Sequence, residues 1–124
     1  MDIENKISTK ILDCAFAVHR NLGPGLLESA YQVALEAELE ERSIPYKAQY
    51  PIPMEYKNRS LETAYRLDLF VMDKVIIECK ATDHLSDIHM AQVLTYLKLT
   101  GCRLGILLNF NVKWMKRGIR RVIL

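Results

Sequence analysis

Apolar residues along this chain switch between two spacings, and the switches mark its elements. From Ile7 to Leu22, the residues Ile11, Leu12, Ala15, Phe16 and Val18 recur at helical spacing. Ser8 or Thr9 is placed to cap that helix, and Gly23-Pro24-Gly25 to end it, since Pro cannot continue a helix and Gly tolerates the turn. The spacing predicts a second helix from about Leu26 to Arg42, with Leu27, Ala30, Tyr31, Ala34, Leu35 and Leu39 on or near one face. Between Ile44 and Tyr56, Pro45, Pro51 and Pro53 restrict the chain to an edge strand or two short extended pieces. Lys57-Asn58-Arg59-Ser60 is a polar turn, and two strands are expected over about Glu62 to Val71 and Val75 to Ala81. A third helix is expected from Ser86, a good cap, to Thr100, with Gly101 where a helix C-terminus favours glycine. Arg103 to Phe110 reads as an interior strand and Gly118 to Leu124 as a last one.

The resulting order is helix, helix, three strands, helix, two strands, without repeats, linkers or low-complexity segments. It predicts an α/β fold, a sandwich of one mixed sheet with helices on its faces, formed by a single domain over residues 1–124. The helix between Val75–Ala81 and Arg103–Phe110 makes a crossover unit, a connection that is almost always right-handed.

Charge placement changes this plain picture. The runs Tyr65-Arg66-Leu67-Asp68-Leu69-Phe70-Val71 and Val75-Ile76-Ile77-Glu78-Cys79-Lys80 carry Asp, Glu and Lys, residue types depleted in strands. If Met72-Asp73-Lys74 is a hairpin loop, Val71 opposes Val75, Leu69 opposes Ile77 and Leu67 opposes Cys79, giving one wholly apolar face. On the other face Phe70 meets Ile76, Asp68 meets Glu78 and Arg66 meets Lys80. A loop one residue shorter throws the two carboxylates to opposite faces and scrambles the apolar one. Two like charges opposed across a hairpin repel, so their juxtaposition makes sense with a cation between them. Mg²⁺ accepts one or two carboxylates together with waters. Asp68 and Glu78 are then the carboxylate ligands, the Cys79 carbonyl adds a backbone ligand, and Lys80 orients the attacking water or stabilises charge on a phosphate. The alternative makes Asp68–Lys80 and Glu78–Arg66 salt bridges on an exposed face, and the pattern alone leaves both open.

Composition bounds the partners only loosely. Half the residues are hydrophobic and 26% are charged, ordinary for a globular chain, and a net charge of +2 neither announces nor opposes nucleic acid. The stretch Lys113-Trp114-Met115-Lys116-Arg117-Gly118-Ile119-Arg120-Arg121 is locally basic, while Glu36, Glu38, Glu40 and Glu41 are locally acidic; solvated faces account for both. Trp114 is expected as a partly buried anchor, with stacking on a base as the alternative. Cys14, Cys79 and Cys102 form no CxxC pair, so neither a zinc site nor a disulfide framework is signalled. The N-terminus lacks the basic-then-apolar order of a signal peptide and no apolar run approaches membrane-spanning length; no membrane association is expected and the expected compartment is cytoplasmic.

Asp68 followed by Glu78-Cys79-Lys80 matches the D…ExK signature of the PD-(D/E)XK nuclease superfamily, a signature that also occurs by chance. Further motifs sharpen it: Gly25-Leu26-Leu27-Glu28-Ser29-Ala30-Tyr31 is a GxxExxY motif, and Gln92-Val93-Leu94-Thr95-Tyr96 is a QxxxY motif on the helix after the ExK strand. With Tyr65-Arg66-Leu67-Asp68 and the ending Gly118-Ile119-Arg120-Arg121-Val122-Ile123-Leu124, the chain resembles, over nearly its whole length, the GxxExxY family, grouped with PD-(D/E)XK nucleases near the RecB-like branch. The resemblance implies a restriction-endonuclease-like α/β/α sandwich and Mg²⁺- or Mn²⁺-dependent phosphodiester hydrolysis of DNA or RNA. It implies that Asp68 and Glu78 are metal ligands, Lys80 the catalytic lysine, Glu28 an acidic residue offered to the metal or its water, and Gln92 and Tyr96 cleft residues near the ion. From spacing alone, Glu28 lies beside the apolar stripe of its helix, and a first-turn Glu is also what the helix dipole favours. Tyr31 is expected to be structural with its hydroxyl near the site.

His19, His84 and His89 are expected to be incidental, and Asp83 and Asp87 to favour the start of the third helix. Two function classes follow: a metal-dependent nuclease, or a nucleic-acid- or protein-binding module that keeps the fold without turnover. The length leaves no room for a separate recognition domain, so specificity is expected from a homodimer, a protein partner or a structured substrate.

Overall fold

A computed structural model describes residues 1–61 and 65–124, so the predicted strand start at Glu62 lies outside the described residues. Helix α1 spans Asp2–Leu22, five residues earlier than its apolar periodicity suggests. Asp2 and Glu4 occupy its first turn, where negative charge suits the dipole, and Ser8 is buried within the helix rather than capping it. Gly23 closes it, its N–H donating to the His19 carbonyl at 2.8 Å. Helix α2 spans Glu28–Glu41 and buries Tyr31, Leu35 and Leu39, one helical turn apart. Two residues expected on that face are not there: Leu27 precedes the helix and is 77% exposed, and Ala30 is exposed.

Strand β1 (Tyr46–Pro51) is followed by a two-stranded hairpin, β2 (Glu55–Tyr56) and β3 (Arg59–Ser60), turned by Lys57 and Asn58. Strands β4 (Arg66–Val71) and β5 (Val75–Lys80), helix α3 (Asp87–Thr100), strand β6 (Leu104–Asn109), a 3-10 turn (Met115–Gly118) and strand β7 (Ile119–Ile123) complete the chain. Ser86 precedes α3 as expected, and Gly101 ends it in left-handed conformation. The main sheet has the order β1-β4-β5-β6-β7, with β5 and β6 parallel and the other pairs antiparallel. Strand β1, which ends on Pro51, lies at one edge, where a missing ladder donor costs least.

This is a mixed sheet between helical layers. Leu69, Val71, Ile77, Leu104, Ile106 and Leu108 pack against α1 and α2, while Phe70, Ile76 and Leu107 pack against Val93, Tyr96 and Leu97 of α3. Alternation along the strands produces the two faces. Helix α3 lies close to β6: a Cβ on Gly105 would run into the Val93 side chain. The architecture is the α/β restriction-endonuclease-like fold expected from the sequence. Among the described residues, no helix is long and apolar enough to cross a membrane. Cys14 and Cys79 are buried thiols and Cys102 is half-buried, all free.

Candidate active site

Strands β4 and β5 pair in the register that the apolar pattern selects, Val71 with Val75, Phe70 with Ile76 and Leu69 with Ile77. The ladder then stops. Asp68 Oδ2 accepts the Cys79 N–H at 2.9 Å, so a side chain takes the amide that the ladder would otherwise use. Leu67 turns into the α3-side core while Cys79 stays in the α1/α2-side core, contrary to the expected Leu67–Cys79 opposition. The pairs Asp68–Glu78 and Arg66–Lys80 likewise fall beyond the ladder. Across the other edge of β4, Gln49 adopts a left-handed backbone, φ 49°, where an unbroken strand would pair with Asp68. The sheet opens where the charges sit, because the Asp68 carboxylate is wedged into it.

The alternative of exposed salt bridges does not hold. Glu78 is 4% exposed, and the described ion pairs include neither Asp68–Lys80 nor Glu78–Arg66. Burial first, then the neighbouring Asp68 charge, pushes the Glu78 carboxyl up to about 9, with Lys80 opposing. Its Oε1 is buried without a hydrogen-bond partner among the described residues. An orphaned carboxylate oxygen beside a second carboxylate is costly in a closed protein and is a suitable donor for a cation.

Several neutral side chains hold Asp68 in place. Gln49 Nε2 approaches its Oδ1 at 3.5 Å, and Gln32 Nε2 donates to its backbone carbonyl at 3.3 Å. Gln49 also donates to Gln32 Oε1 at 2.9 Å, tying β1 to α2 above the site. Sequence reasoning missed both. Gln32 was discernible as one helical turn beyond Glu28; Gln49 carries no signal, because its role depends on a backbone conformation that glutamine seldom adopts.

The GxxExxY stretch is a knot around Tyr31. Its hydroxyl donates to the Gly23 carbonyl at 2.6 Å and accepts from Leu26 N–H at 3.1 Å, while its ring stacks on Phe110 with centroids 4.6 Å apart. Gly25 sits at φ 104°, a conformation that side chains oppose. The knot fixes the turn that delivers Glu28, which is exposed at the start of α2. Glu28, Asp68 and Glu78 all act on the buried Cys79 thiol, whose pKa is raised by burial and then by these charges. Among the described residues, however, no group of three His, Cys, Asp or Glu side chains is gathered closely enough to hold a metal.

On the other side, Gln92 and Tyr96 line a groove of about 350 Å³ with Tyr65, Ile88, Ala91 and Thr95. Burial raises the Tyr96 hydroxyl to about 12, with the charges of Glu78 and Asp68 adding to the rise and a Gln92 hydrogen bond opposing it. Tyr96 therefore lines the groove within the electrostatic reach of the two carboxylates. Lys80, half-buried, ends β5 opposite Asn109 of the parallel β6. Buried Asn109, also missed by sequence reasoning, accepts from Thr82 N–H and donates to its carbonyl, fixing the chain just after Lys80.

The histidines are accounted for elsewhere. His89 Nδ1 accepts the Ser86 N–H at 3.1 Å as a cap of α3. His19 Nε2 donates to the Val112 carbonyl at 2.7 Å, and His84 is exposed. Trp114 is 56% exposed, not the partly buried anchor expected, because the adjacent Met115, 4% exposed, takes the core position instead.

No curated protein and no solved structure matches the chain. A family model does, described as the PD-(D/E)XK nuclease superfamily and matching residues 5–122, which include the splayed strands, the buried Glu78 and Lys80. Over nearly its full length, then, the chain belongs to the PD-(D/E)XK nuclease superfamily.

Proposed function

We propose that the chain is a single nuclease-like domain over residues 1–124, of the GxxExxY group near the RecB-like branch, that hydrolyses phosphodiester bonds in DNA or RNA with Mg²⁺ or Mn²⁺. The observation that carries this reading is the buried, partnerless Oε1 of Glu78 beside Asp68. Superfamily members generally use divalent metal ions. Asp68, Glu78 and the Cys79 carbonyl are the proposed metal donors, with Glu28 acting on the metal or its water from the start of α2. Two carboxylates suit Mg²⁺, which retains several waters. When bound, such an ion supplies positive charge to the scissile phosphate and acidifies a water.

The side chains do the rest. Lys80 places its ammonium beside the phosphate, where charge develops, or orients the attacking water. Gln92 positions substrate at the groove, and Tyr96 keeps its hydroxyl protonated as a donor at neutral pH, consistent with its raised pKa. Nucleic acid is the proposed partner, with a homodimer or protein partner supplying specificity. The free cysteines suit a reducing, cytoplasmic setting.

A second reading, a binding module without turnover, is favoured by one observation: the described residues gather no three-ligand cluster, and Glu28 is exposed. Incubation of the protein with single-stranded, double-stranded and branched DNA and RNA, with Mg²⁺ or Mn²⁺, separates the two. Cleavage by wild type and none by Lys80→Ala supports the nuclease; no cleavage of any substrate with either ion favours the binding module.

A further inference from the structure

The C-terminal end of α1 and the loop after β6 enclose a groove of about 490 Å³, whose lining includes neither Asp68 nor Glu78. Phe16 forms its apolar floor, and His19, Arg20, Lys113, Trp114 and Lys116 line it, with no acidic residue among the lining. The His19–Val112 hydrogen bond ties its two walls together. Arg20, Lys113 and Lys116 are exposed and take part in none of the ion pairs among the described residues. Lys113 Nζ lies 5.4 Å from the centre of the Trp114 ring, and the Trp114 side chain is 56% exposed.

We infer that this groove binds a single strand of nucleic acid, with an unpaired base stacked on Trp114 and the backbone phosphates on Arg20, Lys113 and Lys116. The ligand chemistry follows from the lining. Cations along a groove track phosphates without reading sequence, and an aromatic face accepts any base. Stacking needs an unpaired base, so a single strand fits where an intact duplex does not.

The groove is positioned to serve the proposed nuclease site, and its assignment to nucleic acid rests on that reading. The Phe110 N–H donates to the Lys80 carbonyl at 3.0 Å, so the loop that carries Lys113 and Trp114 leaves the sheet beside Lys80. Three residues separate Phe110 from Trp114, a span of no more than about 14 Å of extended chain. Arg20 lies just before the Gly23-Pro24-Gly25 turn that leads into Glu28. The groove therefore lies within a few nucleotides' reach of the end of β5, which carries Glu78 and Lys80.

Trp114 is the chain's one tryptophan, so its fluorescence reports the groove directly. The test titrates wild-type protein with oligothymidylate in EDTA, where no metal-dependent turnover occurs, and repeats the titration with the same sequence as duplex. Expected is saturable quenching by the single strand, stronger than by the duplex, that weakens steeply with salt. Anisotropy of a labelled oligothymidylate should show roughly five- to a hundredfold weaker binding for Trp114→Ala. Arg20→Ala, Lys113→Ala and Lys116→Ala should each lower the salt slope by about one. Binding without quenching, equal quenching by duplex, or unchanged affinity in a Trp114→Ala protein that melts like wild type would each overturn the inference. Cleavage without quenching removes the groove and leaves the nuclease reading intact; quenching by a protein that cleaves nothing keeps the groove and removes the nuclease.

Discussion

Asp68 and Cys79 are joined by a side-chain-to-backbone hydrogen bond of 2.9 Å that ends the β4–β5 ladder. The carboxylate stands where a strand carbonyl would stand, and the strands part around it. The hydrogen bond fixes one oxygen of Asp68 while its charge disfavours ionisation of Glu78. Structure and proposed metal binding thus place opposing demands on one residue.

Those demands separate on substitution. Asp68→Ala should lower apo stability by about 1–3 kcal/mol, because the Cys79 N–H loses a charged acceptor. Asp68→Asn keeps an acceptor and removes a like charge, so its apo melting temperature should match or exceed wild type. Mg²⁺ or Mn²⁺ should raise the melting temperature of wild type through linkage and leave both variants unmoved. Thermal melts with and without metal decide it; an equal metal response in wild type and Asp68→Asn refutes the ligand assignment.

The fold was legible because its signals are local. Helix periodicity, Gly23, Gly101 and the apolar register of Val71–Val75 each act over a few residues, and all appear in the structure. The charged positions in β4 and β5 were visible as violations of strand preference. What was hidden is the consequence of placing Asp68 there: it breaks the ladder, sends Leu67 to the other core and pairs with a left-handed Gln49. Apolar alternation assumes an intact strand, so it fails at the residue that interrupts one. Gln32 and Asn109 escaped notice for another reason, since neutral amides acquire meaning only through partners distant in sequence, such as Asp68 and Thr82.

Tyr31 offers a test of the GxxExxY turn. Tyr31→Phe keeps the ring stack on Phe110 but strips the Gly23 carbonyl and the Leu26 N–H of a shared partner. A loss of about 1–3 kcal/mol in denaturant unfolding is expected. Hydrogen exchange at Leu26 should quicken beyond that global change if the hydroxyl holds the turn that delivers Glu28. Unaltered protection at Leu26 would show that the glycines and the helix cap hold the turn by themselves.

Lys80 separates catalysis from folding. It is half-buried at the end of β5 and makes none of the ion pairs among the described residues. Lys80→Ala should therefore change stability by about 1 kcal/mol or less. Any metal-dependent cleavage should fall roughly 10²–10³-fold, the usual effect of removing one group that stabilises developing charge. Unfolding of the variant would mark the lysine as structural, and unchanged cleavage would exclude it from the chemistry.

Glu78 makes the stability of the metal-free protein depend on pH in a direction opposite to that of most carboxylates. Its folded pKa is raised from 4.5 to about 9, by burial first and Asp68 second. Between those values the folded state holds a proton that the unfolded chain has released. Stability from this group is complete below about pH 4.5 and declines as pH rises towards 9. In EDTA, the melting temperature of Glu78→Gln should fall less than that of wild type between pH 5 and 9, since a neutral amide has no proton to lose. Divalent metal should oppose the decline, because a cation binds the ionised carboxylate and gains affinity as the proton leaves. Melting curves across that range, with EDTA and with Mg²⁺, measure both slopes. Parallel curves for wild type and Glu78→Gln would show that the buried carboxyl does not titrate there, and would remove the proton-for-metal exchange on which the assignment of Glu78 as a ligand depends.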